Sequence, residues 1–479
     1  IEDTDAKRTV EGAVDTVINV LRYFNIEFDE GAGFDDTDPR NAYGPYFQRQ
    51  RVEIYHTYAK SLVERGLAYP CFCTEEELDK VRAKQEEDKV LTGYYGEYAT
   101  CRNLSYEEIE ANIKAGKPYV LRLRSQGSPD KEITFVDAIK GEIKLPENIH
   151  DIVLLKKDGI PTYHFAHAID DHLMRTTTVV RGGEWLASAP IHYELFHLLG
   201  FKMPAYAHTA HLMKFDEETG GKRKLSKRKD PELSLDYYRK DGYHPYTMKV
   251  YLLTLLNSNF EEWHEKFPDK DINEFPFSVE KMNQSGALFD KDKLHNICKN
   301  ELSKLSEEEL YDFLYDWARE NEPENVEKWF GDREKMLQIL RLYMGVGAKR
   351  RRKDLMYAKQ IFELISYFFD GESAEEMDEF KLDEDMVSKI LKSYLAKYDH
   401  NDDNSVWFNK LKEIADEHGF ASDMKAYKAN PENFKGNVSD IAEAVRIAVT
   451  GRANTPDLWT IVHIMGEEQM TERIKKHIK

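Results

Sequence analysis

Thr176-Thr177-Thr178-Val179-Val180-Arg181-Gly182-Gly183-Glu184-Trp185 decides how the N-terminal half of this chain folds. Residues 176–181 are β-branched up to an arginine, which is the composition of a strand. Two glycines end it and let backbone approach a ligand closely. A helix is expected around residues 189–199, closed by Gly200, and residues 205–208 read as the next strand. Strand, short helix, strand implies a parallel pair joined by a right-handed crossover. Parallel sheets gather ligands at the carboxyl ends of their strands.

Upstream, residues 152–155 form a buried-type strand, Asp158-Gly159 is a hairpin turn, and residues 162–165 are expected to run back as the partner strand. The polar, aromatic run Tyr163-His164-Phe165-Ala166-His167-Ala168-Ile169-Asp170-Asp171-His172 would lie where that strand ends. Residues 67–150 change character. Alternation at 118–125 and 132–137, with a turn at 139–142 before 143–145, predicts a compact α+β insert. Apolar spacing predicts helices over 10–24, with Thr9 as cap, and over 46–65, stopped at Gly66. Beyond about residue 290 the pattern is nearly all helical, with segments such as 307–319, 333–344, 358–369, 386–395 and 438–449. Acidic stretches at 320–328 and 371–384 read as linkers or exposed loops.

The chain's 479 residues suffice for three or more domains, at roughly 150 residues each. Hydrophobic residues at 41% support several cores, and no apolar run reaches membrane-spanning length. The opening Ile1-Glu2-Asp3-Thr4-Asp5 carries no signal-peptide pattern and no initiator methionine, so a missing upstream segment is expected. Four cysteines argue against a disulfide framework and for a reducing, cytoplasmic setting. A net charge of −20 argues against indiscriminate DNA binding. It leaves room for a nucleic acid docked on local basic runs. Two stand out, Lys222-Arg223-Lys224-Leu225-Ser226-Lys227-Arg228-Lys229 and Lys349-Arg350-Arg351-Arg352-Lys353. Such runs are commonly no more than solvated surface.

Three pieces would meet at the strand ends: residues 163–172, residues 180–185 and the loop 224–228. Singly, each has an ordinary explanation. Tyr163 and His167 suit the edge of a core, Arg181 suits an ion pair, and Gly182-Gly183 suits a turn. Their order is more informative: strand, polar cluster, strand, Arg-Gly-Gly-Glu-Trp, helix, strand, Lys-x-Ser-Lys-Arg.

Lys224-Leu225-Ser226-Lys227-Arg228 resembles the second signature, Lys-Met-Ser-Lys-Ser, of the class I aminoacyl-tRNA synthetases. Ile1-Glu2-Asp3-Thr4-Asp5 resembles the Arg-Ile-Glu-Asp-Thr-Asp string of the glutamyl- and glutaminyl-tRNA synthetases. Gly159-Ile160-Pro161-Thr162-Tyr163-His164-Phe165-Ala166, Asp170-Asp171-His172-Leu173-Met174, Arg181-Gly182-Gly183-Glu184-Trp185 and Thr450-Gly451 are similar to the same family. The likeness spans essentially the whole chain. The helical half points to the bacterial-type glutamyl enzymes, whose anticodon-binding part is an α-helical cage, whereas glutaminyl and archaeal or eukaryotic relatives carry β-barrels there. The family's first signature, His-Ile-Gly-His, is not in this sequence, and a chain of these residues alone is expected to be inactive.

The resemblance implies an α/β fold: a Rossmann-like parallel sheet with an α+β insert for the tRNA acceptor end, then an all-α anticodon-binding half. The implied divisions are 1–68 and 167–216 for the catalytic domain, 69–166 for the insert, 217–306 for the signature loop and stem-contact domain, and 307–375 and 376–479 for the anticodon-binding domains. It implies ATP-dependent ligation of L-glutamate to tRNA(Glu) through glutamyl-adenylate, with Mg2+ entering with ATP, by a cytoplasmic monomer that binds no membrane. Lys227 and Lys224 would act on the phosphates, a role suited to a compact charge on a loop. Arg181 would take the substrate's side-chain carboxylate, for which a planar fork is well matched. Glu2 would accept the amino group, and Tyr163 and His167, the latter an Asn in many relatives, would line the pocket. Glu184, Met213, Ser226 and Lys227 would bound ATP. Thr4, Asp5 and Arg8 would sit near the acceptor end. Lys349, Arg350, Arg351 and Arg352 would meet tRNA phosphates.

Cys71-Phe72-Cys73 and Cys101 lie in the insert, where some relatives hold zinc. Tyr98 is near, and Asn103 stands where a histidine would help. Zinc needs four ligands, so reduced, packed thiols are the expectation and zinc the alternative. Cys298 reads as a buried helix residue. Two other functions fit less of the pattern: a tRNA-binding paralogue that does not charge, and an adenylate-forming enzyme of similar fold, which would not need the helical half. A glutaminyl-type enzyme is a nearer alternative.

Overall fold

The structure, a computed structural model, describes residues 1–5, 11–33, 38–216, 218–226, 228–369 and 377–479. It separates into two units, residues 1–236 with 252–290, and residues 237–251 with 291–479.

In chain order the first unit contains α1 (Ala13–Tyr23), α2 (Val52–Glu64), β1 (Ala68–Cys71), α3 (Glu75–Glu87), α4 (Tyr106–Lys114), β2 (Val120–Leu123), β3 (Glu132–Asp137), β4 (Gly141–Pro146) and β5 (Val153–Leu155). It continues with α5 (Tyr163–Leu173), β6 (Thr178–Gly182), α6 (Ala189–Leu199), β7 (Ala205–Thr209), β8 (Leu212–Phe215), β9 (Lys222–Lys224) and β10 (Ala287–Leu288). The expected parallel pair is present. β6 and β7 run parallel with Val180 opposite Ala207 and Arg181 opposite His208. They belong to a four-stranded sheet of order β4-β3-β7-β6, in which β3 meets β7 in parallel at Asp137 and Tyr206. The hairpin β3–β4 thus extends the crossover sheet, while β1, β2 and β5 form a separate antiparallel sheet.

Residues 162–165 do not form the expected returning strand, because α5 begins at Tyr163. Pro161 bridges Leu155 between two flanking bonds, Lys156 N–H to the Ile160 carbonyl and Thr162 N–H to the Leu154 carbonyl, both 2.9 Å, and the pairing goes no further. Thr162 takes the extended N-cap conformation. Phe165, Ala166 and Ile169 follow at helical spacing and are fully buried against Tyr55, Leu62, Leu123, Leu154 and Phe196. Burial of each large side chain is worth about 1.5–3 kcal/mol, more than a short edge pairing offers. Thr9, expected as the cap of the first helix, lies outside the described residues; α1 itself starts after Gly12, whose φ of 73° suits glycine.

The second unit has no strand among its described residues. Helices Lys291–Leu302, Glu307–Asn321, Arg333–Met344, Ala358–Ile365, Glu384–Lys397, Asn404–His418, Val438–Thr450, Leu458–Met465 and Glu467–Lys475 make up most of it. Ser306 with Glu309 forms a capping box, and Asp332, Asp383, Asp403 and Asp457 cap other helices by accepting backbone N–H bonds. The stretch 320–328, expected as a loop, instead enters the short helix Val326–Phe330. Its acidic residues face out, while Trp329 stacks on Phe362 at 3.9 Å and Phe330 is buried. Of 371–384, residues 371–376 lie outside the described residues and Glu384 opens a helix.

Candidate active site

Arg181 sits near the carboxyl end of β6, where the β6–β7 register sets it beside His208. Its Nε–H donates to His208 Nε2 at 2.9 Å, and its Nη1 donates to His192 Nδ1 at 3.0 Å. Weaker contacts run from Nη1 to the Tyr163 hydroxyl at 3.5 Å and from Nη2 to the Trp185 carbonyl at 3.3 Å. The guanidinium lies 4.7 Å from the Tyr206 ring centroid. Every hydrogen-bond partner of Arg181 among the described residues is therefore neutral. The guanidinium has more N–H donors than these contacts use, and its charge is left for a ligand.

These bonds fix the tautomers. His208 accepts at Nε2, so its proton is on Nδ1, which donates to Asp137 Oδ2 at 2.6 Å. His192 accepts at Nδ1, so its Nε2–H donates to His164 Nδ1 at 2.9 Å. Tyr163 stacks on His167 with ring centroids 5.5 Å apart and packs on Trp185 at 4.4 Å. His167 Nε2 bonds the Tyr206 hydroxyl at 2.8 Å. Burial first, then the nearby Arg181 charge, hold His164 down to about 4 and His167 down to about 3, and His192 is likewise lowered. The histidines around Arg181 are thus neutral at pH 7, and the guanidinium is the formal cation of the cluster.

The structure brings Arg181, Tyr163 and His167 into one cluster, as expected. Glu2 is exposed, yet its charge acts on Tyr163. Thr4 is buried and its carbonyl accepts from Lys156 Nζ, while Asp5 is exposed. Glu184 is half-exposed, with His211 Nδ1 at 3.4 Å. A Cβ at Gly183 would meet the Thr209 carbonyl at 3.1 Å, a tight approach. Lys224 lies directly opposite Met213 across the β8–β9 ladder. The Met213 carbonyl already accepts from Phe289 at 2.7 Å. The Ser226 N–H donates to Asp230 at 2.8 Å, and Arg223 grips the same carboxylate with two bonds of 2.7 Å. Asp230 is held well below the usual carboxylate range, chiefly by Arg223. The root of the basic loop is therefore clamped by an ion pair. Lys227 and Arg8 lie outside the described residues.

Within the second unit, Lys349, Arg350, Arg351 and Arg352 are all exposed. Arg350 and Arg352 line a cavity of about 760 Å3 together with Arg341, Asp457, Thr460 and His463. Arg352 pairs with Asp354.

The three insert cysteines converge, with the Sγ atoms of Cys71, Cys73 and Cys101 within 4.8 Å of one another. The Tyr94 hydroxyl stands 3.4 Å from Cys71 Sγ and 3.3 Å from Cys73 Sγ. Tyr98 is not at the cluster and donates to Asp88 at 3.0 Å instead. Three thiols this close could supply three of the four ligands that a tetrahedral zinc takes. Cys298 is fully buried, its thiol pushed up to about 12 by burial.

Sequence reasoning missed Asp137, His192, Tyr206 and His208. Asp137 left a usable signal: in the alternating strand Glu132–Asp137, it shares the buried face with Ile133 and Phe135. A carboxylate in that position demands a partner.

A family model described as "tRNA synthetases class I (E and Q), catalytic domain" matches residues 1–296, and one described as "Anticodon binding domain" matches residues 309–478. The glutamate–tRNA ligase of Acetivibrio thermocellus is 53% identical over 99% of this chain and 86% of its own length. That of Clostridium perfringens strain SM101 is 46% identical over 100% of this chain and 87% of its own. The crystal structure of a glutamate tRNA ligase from Elizabethkingia meningosepticum in complex with its amino acid superposes with a TM-score of 0.74 at 26% identity, covering 100% of this chain and 91% of that one. Sharing more than half of its residues with one such enzyme along nearly its whole length, the chain belongs to the glutamate–tRNA ligases, a family of class I tRNA synthetases.

Proposed function

We propose that this chain ligates L-glutamate to tRNA(Glu) at the expense of ATP. An α-carboxylate oxygen of glutamate attacks the α-phosphorus of ATP, and the bond to pyrophosphate breaks. The terminal ribose hydroxyl of the tRNA then attacks the carbonyl carbon of glutamyl-adenylate, loses its proton, and AMP leaves. Catalysis rests on positioning and on stabilising the charge that grows on the phosphates. Mg2+ enters as part of the ATP substrate complex.

The observation that carries this reading is Arg181, a cation bonded only to neutral groups among the described residues, beside Tyr163 and His167. Arg181 binds the substrate's side-chain carboxylate, the Tyr163 contact at 3.5 Å being the weakest to displace. Tyr163 and His167 close the pocket, and Glu2 takes the ammonium group. Lys224 and Lys227 attend the phosphates, with Ser226, Glu184 and Met213 bounding ATP. Thr4, Asp5 and Arg8 meet the acceptor end, assisted by residues 69–166. Lys349, Arg350, Arg351 and Arg352 contact tRNA phosphates in the helical half, within residues 307–375, and residues 376–479 complete the anticodon-binding part. Residues 217–306 carry the signature loop and contact the tRNA stem. No helix among the described residues is long and apolar enough to cross a membrane, and the proposed setting is the cytoplasm, as a monomer. Glutamate-dependent charging of tRNA(Glu), followed as acid-precipitable label, is the test. Charged tRNA is the expected result; tight tRNA binding without charge would favour the non-charging paralogue.

A second reading concerns metal. Cys71, Cys73 and Cys101 hold one zinc ion, with Tyr94 or water completing the tetrahedron. The convergence of the three thiols supports it. About one equivalent of zinc by elemental analysis, lost in a Cys73→Ser, Cys101→Ser variant, is expected; a metal-free protein with three titratable insert thiols would refute it.

A further inference from the structure

Asp137 lies on β3, outside the motifs that mark the family resemblance, with no exposed side-chain surface. Its carboxylate accepts from four donors. These are the backbone N–H of Ile139 at 3.0 Å, of Lys140 at 2.9 Å and of His208 at 3.1 Å, and His208 Nδ1–H at 2.6 Å. The site is overbuilt for a strand end. Burial opposes ionisation there, yet these bonds together hold Asp137 below the usual carboxylate range. An ionised Asp137 leaves His208 no choice of tautomer. The proton must be on Nδ1, so Nε2 presents a lone pair, and that lone pair is what receives Arg181 Nε–H at 2.9 Å.

We propose that Asp137 is a positioning residue for glutamate selection, acting on Arg181 through His208. The inference rests on Arg181 as the carboxylate binder. An aspartate placed directly against Arg181 would orient it equally well but would neutralise it, and a neutralised guanidinium has little preference for a carboxylate over a carboxamide. The imidazole between them transmits orientation while keeping the anion one ring away. It also fixes the sense of the bond: were His208 to carry its proton on Nε2, two N–H groups would face each other and Arg181 would swing from its place. His192 secures the other edge of the fork, accepting Nη1–H at 3.0 Å and passing its own N–H to His164. This second chain ends on a neutral ring, so Asp137 is the charged terminus of the two.

The test is Asp137→Asn in the full chain. The substitution keeps an oxygen for the Ile139 and Lys140 N–H groups but sets an NH2 against His208 Nδ1, which reverses the tautomer, and takes Oδ2 from the His208 backbone N–H, which keeps only its longer bond to the remaining oxygen at 3.4 Å. The KM for glutamate is expected to rise about tenfold, the scale of one charge-assisted hydrogen bond, with the KM for ATP unchanged and the preference for glutamate over glutamine reduced. An unchanged glutamate KM overturns the proposal, and so does an equal rise for glutamate and ATP, which a general loosening of the fold would give. A measurement on the unsubstituted protein is independent of folding: the 15N shifts of His208, assigned with His208→Gln, should report Nδ1 protonated, and Nε2 protonation overturns the proposal. Arg181→Ala separates the two readings. If it leaves the glutamate KM unchanged, the carboxylate-binder reading fails; if it raises that KM and Asp137→Asn does not, the positioning role alone fails.

Discussion

Arg181 stands half-buried at the end of a parallel strand with four neutral hydrogen-bond partners, whereas Arg350 and Arg351 stand in water on the surface of the helical unit. The side chain is the same and its physics differs. In the first setting the surroundings are aromatic rings and neutral imidazoles, so the local dielectric is low and a ligand charge is felt strongly over a short range. Geometry then decides everything, and each bond that aims the fork matters. In the second setting, water and salt screen the charge within about 8–10 Å. Number then matters more than aim. One region suits a single small carboxylate, and the other a polyanion whose phosphates need only be near.

Arg181→Ala should produce the largest effect. Removing one partner of a buried, hydrogen-bonded charge pair costs about 2–5 kcal/mol, so kcat/KM for glutamate should fall roughly 30- to 4,000-fold. The loss should be similar at low and high salt. A loss that disappears at high salt would place Arg181 in the screened class and erase the contrast. Next comes the triple substitution Arg350→Ala, Arg351→Ala, Arg352→Ala. It should weaken tRNA binding by about tenfold and reduce the slope of log K against log salt by about 2, each phosphate contact contributing roughly 0.7–0.9. Filter binding across a salt series reads both, and the glutamate KM should not move. An unaltered slope rules the patch out.

The smallest effect sharpens the electrostatic side of the comparison. His164 and His167, at about 4 and about 3 in the folded protein, would take up protons near 6.5 once unfolded. Between pH 4 and 6.5 the unfolded chain therefore binds more protons, and stability rises with pH across that window. Asp171 works in the opposite sense. Burial raises it from 3.8 to about 6, so its contribution falls as pH rises through that range. The net of these three groups is about one proton, or roughly 1.4 kcal/mol per pH unit. The unfolding midpoint should climb from pH 5 to pH 6.5, and His164→Gln should flatten the climb. A flat profile for the unsubstituted protein would mean the cluster is charged or exposed.

Arg181, Tyr163 and His167 were readable because they lie in local strings whose order mirrors the order of strands and helices. Asp137 and His208 were not, since the bond that makes them a unit spans 71 residues of sequence and depends on β3 lying beside β7. Only the inward register of Asp137 hinted at it. The strand expected at 162–165 failed because a short apolar run has no decisive period, and the burial of Phe165, Ala166 and Ile169 at helical spacing settled the matter. The cysteines show the same limit. The spacing of Cys71 and Cys73 left zinc as the alternative to packed thiols, and the path that returns Cys101 to them, and brings Tyr94 rather than Tyr98, is set by the folding of the loop between. In the helical half, apolar spacing located the helices Glu307–Asn321, Arg333–Met344, Ala358–Ile365, Glu384–Lys397 and Val438–Thr450, while Val326–Phe330 was hidden by acidic residues around two aromatic anchors.

The pairing of β3 with β7 at Asp137 has a consequence for protein engineering. Residues 69–166 look like a cassette that could be exchanged with that of another synthetase to alter which tRNA end is gripped. The exchange would also replace Asp137, one end of the bond chain that aims Arg181. A chimera joined at the cassette's outer boundaries would therefore inherit the donor's tuning of amino-acid choice along with its tRNA contacts, and a clean swap of one property without the other needs a junction that leaves the hairpin of β3 and β4 with the recipient.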